Sequence, residues 1–145
     1  MIGFFEHQYL SFKKNHIRSL LALARADGDM HPKEEELLYH IGRRIGLKDR
    51  QIKAIVDSDE THTLTIPGNH NDKMNLIHDL ILMIHADEKI VGNELAFLED
   101  AVHQLGMKKE IVSWLLQIFD TKGTPPPTEE WEDIKKVALE RFVMN

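Results

Sequence analysis

Apolar residues recur at helical spacing almost from end to end of this chain. Leu10, Ile17, Leu20, Leu21 and Ala24 stand three, four and seven positions apart, which puts them on one face of an α-helix. The pattern predicts a helix from the N-terminal region to about Ala26, broken near Ser11–Asn15. A second helix begins at Pro32, because a proline at the first helical position lacks only an N–H that would be unpaired anyway. His31 is then the N-cap, an unusual one, and Glu34 is the third helical residue. Gly46 ends this helix as the left-handed residue that glycine adopts cheaply, and Gly106 ends a later one. Short helices follow each stop, over about 49–56 and 109–119.

Residues 57–72 mix acids, a β-branched stretch and a Pro67-Gly68-Asn69 turn, and read as an ordered surface connection. Asn71 or Asp72 is placed to cap the helix that runs on to about Ala86. The stretch TKGTPPPT, residues 121–128, reads as a semi-rigid linker, since consecutive prolines prefer polyproline II. Thr128 is placed to cap a last helix over about 129–144, with Glu129 and Glu130 at its positive dipole end. Trp131, Ile134, Val137, Ala138, Phe142 and Val143 form its apolar stripe. Nothing reads as a β-sheet, so the fold class is all-α with about seven helices.

Two stretches of this pattern are copies. Residues 26–47 and 86–107 align without a gap at a constant offset of sixty, and such repeats govern the architecture. Ala26 pairs with Ala86, Asp27 with Asp87, Glu34 with Glu94, Leu38 with Leu98 and Gly46 with Gly106. The copies span about 20–56 and 80–116. They predict two helix-loop-helix halves related by a pseudo-two-fold axis, within a single domain over residues 1–145.

Composition narrows the function classes. The chain has 145 residues, a formal net charge of −6 and no cysteine. A deficit of basic residues argues against nucleic acid, whose binders carry a basic face. No segment approaches the ~20 apolar residues that span a bilayer, so no membrane insertion is expected. The start, MIGFFEHQYLSFKK, lacks the basic and apolar regions of a signal peptide. The absence of thiols fits a reducing cytoplasm and removes disulfides, thiol catalysis and thiolate zinc sites.

The acids shared by the copies are the place to look for chemistry. Asp27, Asp29 and Glu34 lie within eight residues, and Asp87 and Glu94 answer them in the second copy. If the loops converge, these carboxylates offer the oxygen ligands that Ca²⁺, Mg²⁺ or Mn²⁺ prefer. An EF-hand fails on spacing: its loop needs a Glu at about the twelfth position, and Glu34 is the eighth from Asp27. The same residues also have structural uses. An Asp can fold onto backbone N–H groups as an Asx-turn, and a Glu at the third helical position can close a capping box. The second copy replaces Gly28 by Glu88 and Asp29 by Lys89, so the first copy is the better cation candidate. Nine histidines are scattered without an HExxH pair; His78 and His85 are seven apart and read as one polar edge. No GxSxG, P-loop or GxGxxG occurs, and the chain reads as non-enzymatic.

The segment LALARADGDMHPKEEELLYHIGRRIGL resembles the tellurite-resistance TerB-like domain family, which includes the N-terminal domain of a membrane-anchored DnaJ-type co-chaperone. The elements that carry the likeness are Ala26-Asp27-Gly28, Met30, Glu34-Glu35 and Leu37–Leu47, repeated as Ala86-Asp87, Ile90 and Glu94. It covers roughly residues 17–120. The resemblance implies an all-α fold of about seven helices, acidic clusters that bind a divalent metal, and a role in stress-response or membrane-associated complexes. The chain carries no J domain or membrane anchor, so a co-chaperone role does not follow. The expectation is a TerB-like domain that binds a divalent cation through Asp27, Asp29, Glu34, Asp87 and Glu94. The alternative is a protein–protein interaction module, with an unknown protein partner, in which these acids only shape loops. A carboxylate hydrolase stands third and would need a concave pocket beside the loops.

Overall fold

The computed structural model describes residues 4–26, 28, 30–86 and 92–144, with side chains from Tyr9 onward. Among these described residues seven helices follow in order: α1 (Phe4–Ala24), α2 (Pro32–Arg44), α3 (Asp49–Val56), α4 (His70–Ala86), α5 (Gly92–Gln104), α6 (Glu110–Lys122) and α7 (Thr128–Arg141). The fold is all-α. Among the described residues the only β-type pairing is an isolated bridge between Met107 and Val143, and no helix is long and apolar enough to cross a membrane.

Helices α1 and α4 form the centre. Helix α1 packs on α2, α3, α4 and α5, while α4 packs on α1, α2, α5, α6 and α7. A helix surrounded by others is apolar on every face, and α4 buries an unbroken run from Leu76 to Ile84. Ile17, Leu20, Leu21, Leu23 and Ala24 of α1 meet it in the core. Each such isoleucine or leucine side chain stabilises the fold by ~1.5–3 kcal/mol relative to leaving it in water.

The duplicated pattern has duplicated local geometry. Gly46 and Gly106 both have positive φ, +98° and +83°. After α2, the Leu47 N–H donates to the Gly42 carbonyl at 2.8 Å and the Gly46 N–H to the Arg43 carbonyl at 3.0 Å. After α5, the Met107 N–H donates to Val102 at 2.9 Å and the Gly106 N–H to His103 at 3.0 Å. Both ends are Schellman motifs, which satisfy the last carbonyls of a helix.

The start of α2 follows from its sequence. His31 Nδ1 accepts the Lys33 N–H at 3.1 Å, and Glu34 Oε1 accepts the His31 N–H at 3.1 Å, a reciprocal capping box. Other boundaries differ from expectation. Helix α1 runs unbroken through Ser11–Asn15, a stretch with no glycine or proline, where Arg18 Nη1 donates to Asn15 Oδ1 one turn back at 2.9 Å. Helix α4 begins at His70, and its capping side chain is Asn69, not Asn71 or Asp72. Asn69 Oδ1 accepts the Asp72 N–H at 2.8 Å, and Asn69 Nδ2 donates to Asp72 Oδ2 at 2.7 Å. Thr128 is the first residue of α7 instead of its cap; the cap position is Pro127, which offers no side-chain bond. Helix α6 runs on to Lys122, and beyond it Thr124 Oγ1 donates to the Phe119 carbonyl at 2.8 Å.

Gly42 explains how closely α2 and α3 approach. A Cβ there would clash with Ile52 Cδ1 and stand 2.9 Å from its Cγ1, and Ile52 is fully buried. Gly42→Ala gains about 1 kcal/mol of helix propensity and incurs about 1–3 kcal/mol of overpacking. The expected net is a loss of about 1 kcal/mol in urea unfolding; an unchanged or raised midpoint would show that Ile52 has room to turn aside.

Candidate functional site

Helix α4 carries one carboxylate inside its apolar run. Asp79 is 1% exposed, and an isolated ionised carboxylate at such a site would be very costly. Three cationic or N–H donors answer it. His16 Nε2 of α1 lies 2.7 Å from Asp79 Oδ2, Arg44 Nη2 at the end of α2 lies 2.6 Å from the same oxygen, and His78 Nδ1 lies 2.9 Å from Oδ1. Burial pushes the Asp79 carboxyl upward, but bonds from His16 and His78 and the charge of Arg44 outweigh it and hold the group well below the usual carboxylate range. An ionised carboxylate only accepts, so the facing nitrogen of each imidazole carries the hydrogen. The hydrogen bonds thus set the orientation of both rings.

His78 is held from its other side by aromatic rings. Its centroid lies 4.6 Å from that of Trp131 and 5.4 Å from that of Phe119, both edge-on. Trp131 belongs to α7, whose placement is polar as well as apolar. Trp131 Nε1 donates to Asn75 Oδ1 at 3.3 Å, and the buried Lys135 Nζ donates to Asn71 Oδ1 at 2.8 Å while pairing with Glu132 at 3.0 Å. Asn71, Asn75 and His78 recur at four and three residues along α4, so one stripe receives the whole helix.

These contacts leave a cleft of about 780 Å³ between α1, the C-terminus of α2, α4 and α7. Tyr9, Phe12, Lys13, Arg44, Trp131 and Lys135 are among its walls. Tyr9 is 62% and Phe12 37% exposed. Lys13 Nζ lies 4.3 Å over the Tyr9 ring centroid, a cation–π geometry. Arg44 keeps 46% of its side-chain surface in solvent despite its bond to Asp79. The cleft therefore has a buried, charge-neutralised floor and an aromatic, cationic lip.

Of the expected acidic set, Glu34 and Glu94 fall within the described residues. Asp27, Asp29 and Asp87 lie outside the described residues. Glu34 and Glu94 are the third residues of α2 and α5, and both are buried, at 2% and 1% exposure. One oxygen of Glu34 is committed to the His31 N–H. Among the described residues no group of three or more His, Asp or Glu is arranged to hold a metal ion. His78 and His85 do share an edge, against Phe119, but with separate carboxylates: His85 Nε2 meets Asp120 Oδ1 at 2.6 Å. Arg43 and Arg44 also part company, Arg43 forming a two-pronged surface pair with Asp49 at 2.8 and 3.0 Å.

Asp79, His16 and the cleft were missed from sequence. The available signal was Asp79 itself, a charge inside LIHDLILMIH. Comparison of the chain with protein-family models, curated proteins and solved structures returns no match.

Asp79→Asn keeps the shape and removes the charge, leaving Arg44 without its buried partner. A loss of about 3 kcal/mol is expected, the lower end for breaking a buried pair because Arg44 stays partly solvated. A carboxyl depressed in the fold adds stability that is complete above its unfolded pKa of about 3.9 and fades as pH falls toward its folded value. The gap in Tm between wild type and Asp79→Asn should therefore be widest near neutrality and narrow below about pH 4. A gap independent of pH would show that Asp79 is not ionised in the fold.

Proposed function

We propose that this chain is a non-enzymatic interaction module that uses the cleft between α1, α2, α4 and α7 to hold a protein partner. The observation that carries this reading is the cleft's lip, where Tyr9 and Phe12 stand exposed beside Lys13 and Arg44. Aromatic and Arg side chains are enriched at protein interfaces, and hot spots favour them. The orientation of Glu34 supports the same reading. Its carboxylate turns back to a backbone N–H, as it would if the acids shared by the two copies shape helix starts. Kinship with the TerB-like family remains part of the proposal. Its supports are the order of seven helices and the motif around Ala26-Asp27-Gly28, and neither carries tellurite resistance or a stress role with it.

The cation reading is tested against this one by thermal melts of chelator-treated protein with Ca²⁺, Mg²⁺ or Mn²⁺ added in turn. A ligand at a hundred times its Kd stabilises the native state by ~2.7 kcal/mol. The expected result is no saturable rise in Tm, with Glu34→Ala costing about 1 kcal/mol of capping in either condition. A saturable rise with one cation that vanishes in Glu34→Gln would overturn the proposal and make the acidic loops the site.

A further inference from the structure

From the charge distribution around the cleft we infer the class of its occupant: an acidic polypeptide segment carrying an aliphatic or aromatic anchor, its carboxylates on Lys13 and Arg44. The inference rests on the interaction-module reading and specifies its partner. Three observations lead to it. The chain as a whole carries a net charge of −6, yet from Tyr9 to Ala24 helix α1 holds Lys13, Lys14 and Arg18 and no acid. Of the three acids that line the cleft, two are paired with cations and the third, Asp72, is bonded to a neutral amide. Asp79 is surrounded by His16, His78 and Arg44, Asp72 is bonded to Asn69, and Glu132 is paired with Lys135. The cations at the lip are not matched in the same way. Among the described residues Lys13 has the Tyr9 ring and no carboxylate, and Arg44 uses one Nη on Asp79 with nearly half its side chain in solvent.

The buried Asp79 also gives Arg44 a quality a mobile surface arginine lacks. Its guanidinium is fixed at the cleft mouth, so less side-chain freedom is lost when a carboxylate binds to the remaining donors. Lys13 is steadied in turn by the Tyr9 ring, and its ammonium lies where a Cβ on Gly46 would meet it. Tyr9 and Phe12 are two of the four large apolar side chains left exposed among the described residues, and they flank these charges. An apolar anchor settling on the rings would exclude water from the ion pairs beside it and strengthen them.

The test uses the full chain, labelled with ¹⁵N, and two model peptides of equal length. One carries Glu with Leu anchors at helical spacing; the other replaces each Glu with Lys. The acidic peptide is expected to bind saturably, to shift the Trp131 indole N–H and the amides of Lys13 and Arg44, and to leave the Trp114 indole unmoved. Raising the salt should weaken binding, as screening of exposed charges requires. Lys13→Glu and Tyr9→Ala, each with an unchanged Tm, should weaken it about tenfold, or about 1.4 kcal/mol. Equal binding of the lysine peptide, or full affinity in Lys13→Glu, would overturn the charge argument. Shifts gathered on other helices would overturn the cleft while leaving an interaction module. Absence of binding by either peptide would overturn the acidic occupant, whereas the module reading itself stands or falls on the cation melts.

Discussion

The pairing of one buried carboxylate with donors from three helices organises this molecule. Asp79 is the one buried carboxylate in the run Leu76–Ile84 of α4, and its two oxygens receive His16 from α1, Arg44 from the end of α2 and His78 from its own helix. A buried charge tolerates little displacement of its partners, because each lost bond restores part of the desolvation penalty. Apolar packing sets how tightly the central helices meet; this cluster sets their register and rotation. The ring orientation of His78 then fixes the aromatic edge on which Trp131 and Phe119 rest. The position of α7, and so the width of the cleft, depends on a carboxylate that never touches α7.

Such a cluster is double-edged. Apolar residues of similar size can replace buried ion networks without loss of stability, so the network is better read as a source of specificity than of net energy. Here the specificity is visible in Arg44. A residue at a helix C-terminus usually keeps its side chain in solvent, and Arg43 next to it does so, meeting Asp49 on the surface. Arg44 is drawn inward by Asp79 and held at the rim of a cleft. One carboxylate thus turns one of two adjacent arginines into a fixed feature of the surface.

Helix starts and stops written in local chemistry were legible in the sequence. His31-Pro32 with Glu34 marks the start of α2, and Gly46 and Gly106 mark two stops, because each signal acts within about four residues. The cap of α4 was misplaced for a local reason: Asn69, Asn71 and Asp72 are all competent caps, and only backbone geometry chooses among them. The cluster was missed because its members are far apart, His16 and Asp79 being separated by 63 positions, and periodicity says nothing about which polar residues meet. One clue lay in the repeat. The counterpart of Asp79 sixty residues earlier is Ser19, fully buried in α1, whose Oγ accepts the Thr65 N–H at 3.0 Å. Just ahead of each copy a polar side chain stands at the same point of a central helix, and each must find a partner there. The acids that the repeat brought forward, Glu34 and Glu94, are buried at helix starts, while Asp27, Asp29 and Asp87 lie outside the described residues.

The twin glycine turns show how one backbone shape acquires two uses. Around Gly106 the outward-facing groups are taken up by the residues that follow α7: the Lys108 N–H donates to the Phe142 carbonyl at 2.7 Å, and the Met144 N–H donates to the Gly106 carbonyl at 2.8 Å. Around Gly46 no such segment arrives among the described residues; the neighbour is the Lys13 ammonium at the edge of the cleft. Because a Schellman turn satisfies its own helix from within, its outer edge is surplus to folding and is available to whatever comes alongside. In one copy that visitor is the chain's own tail, which makes the edge part of the interior framework. In the other the edge stays at the surface, and a symmetric sequence yields a molecule with a front and a back.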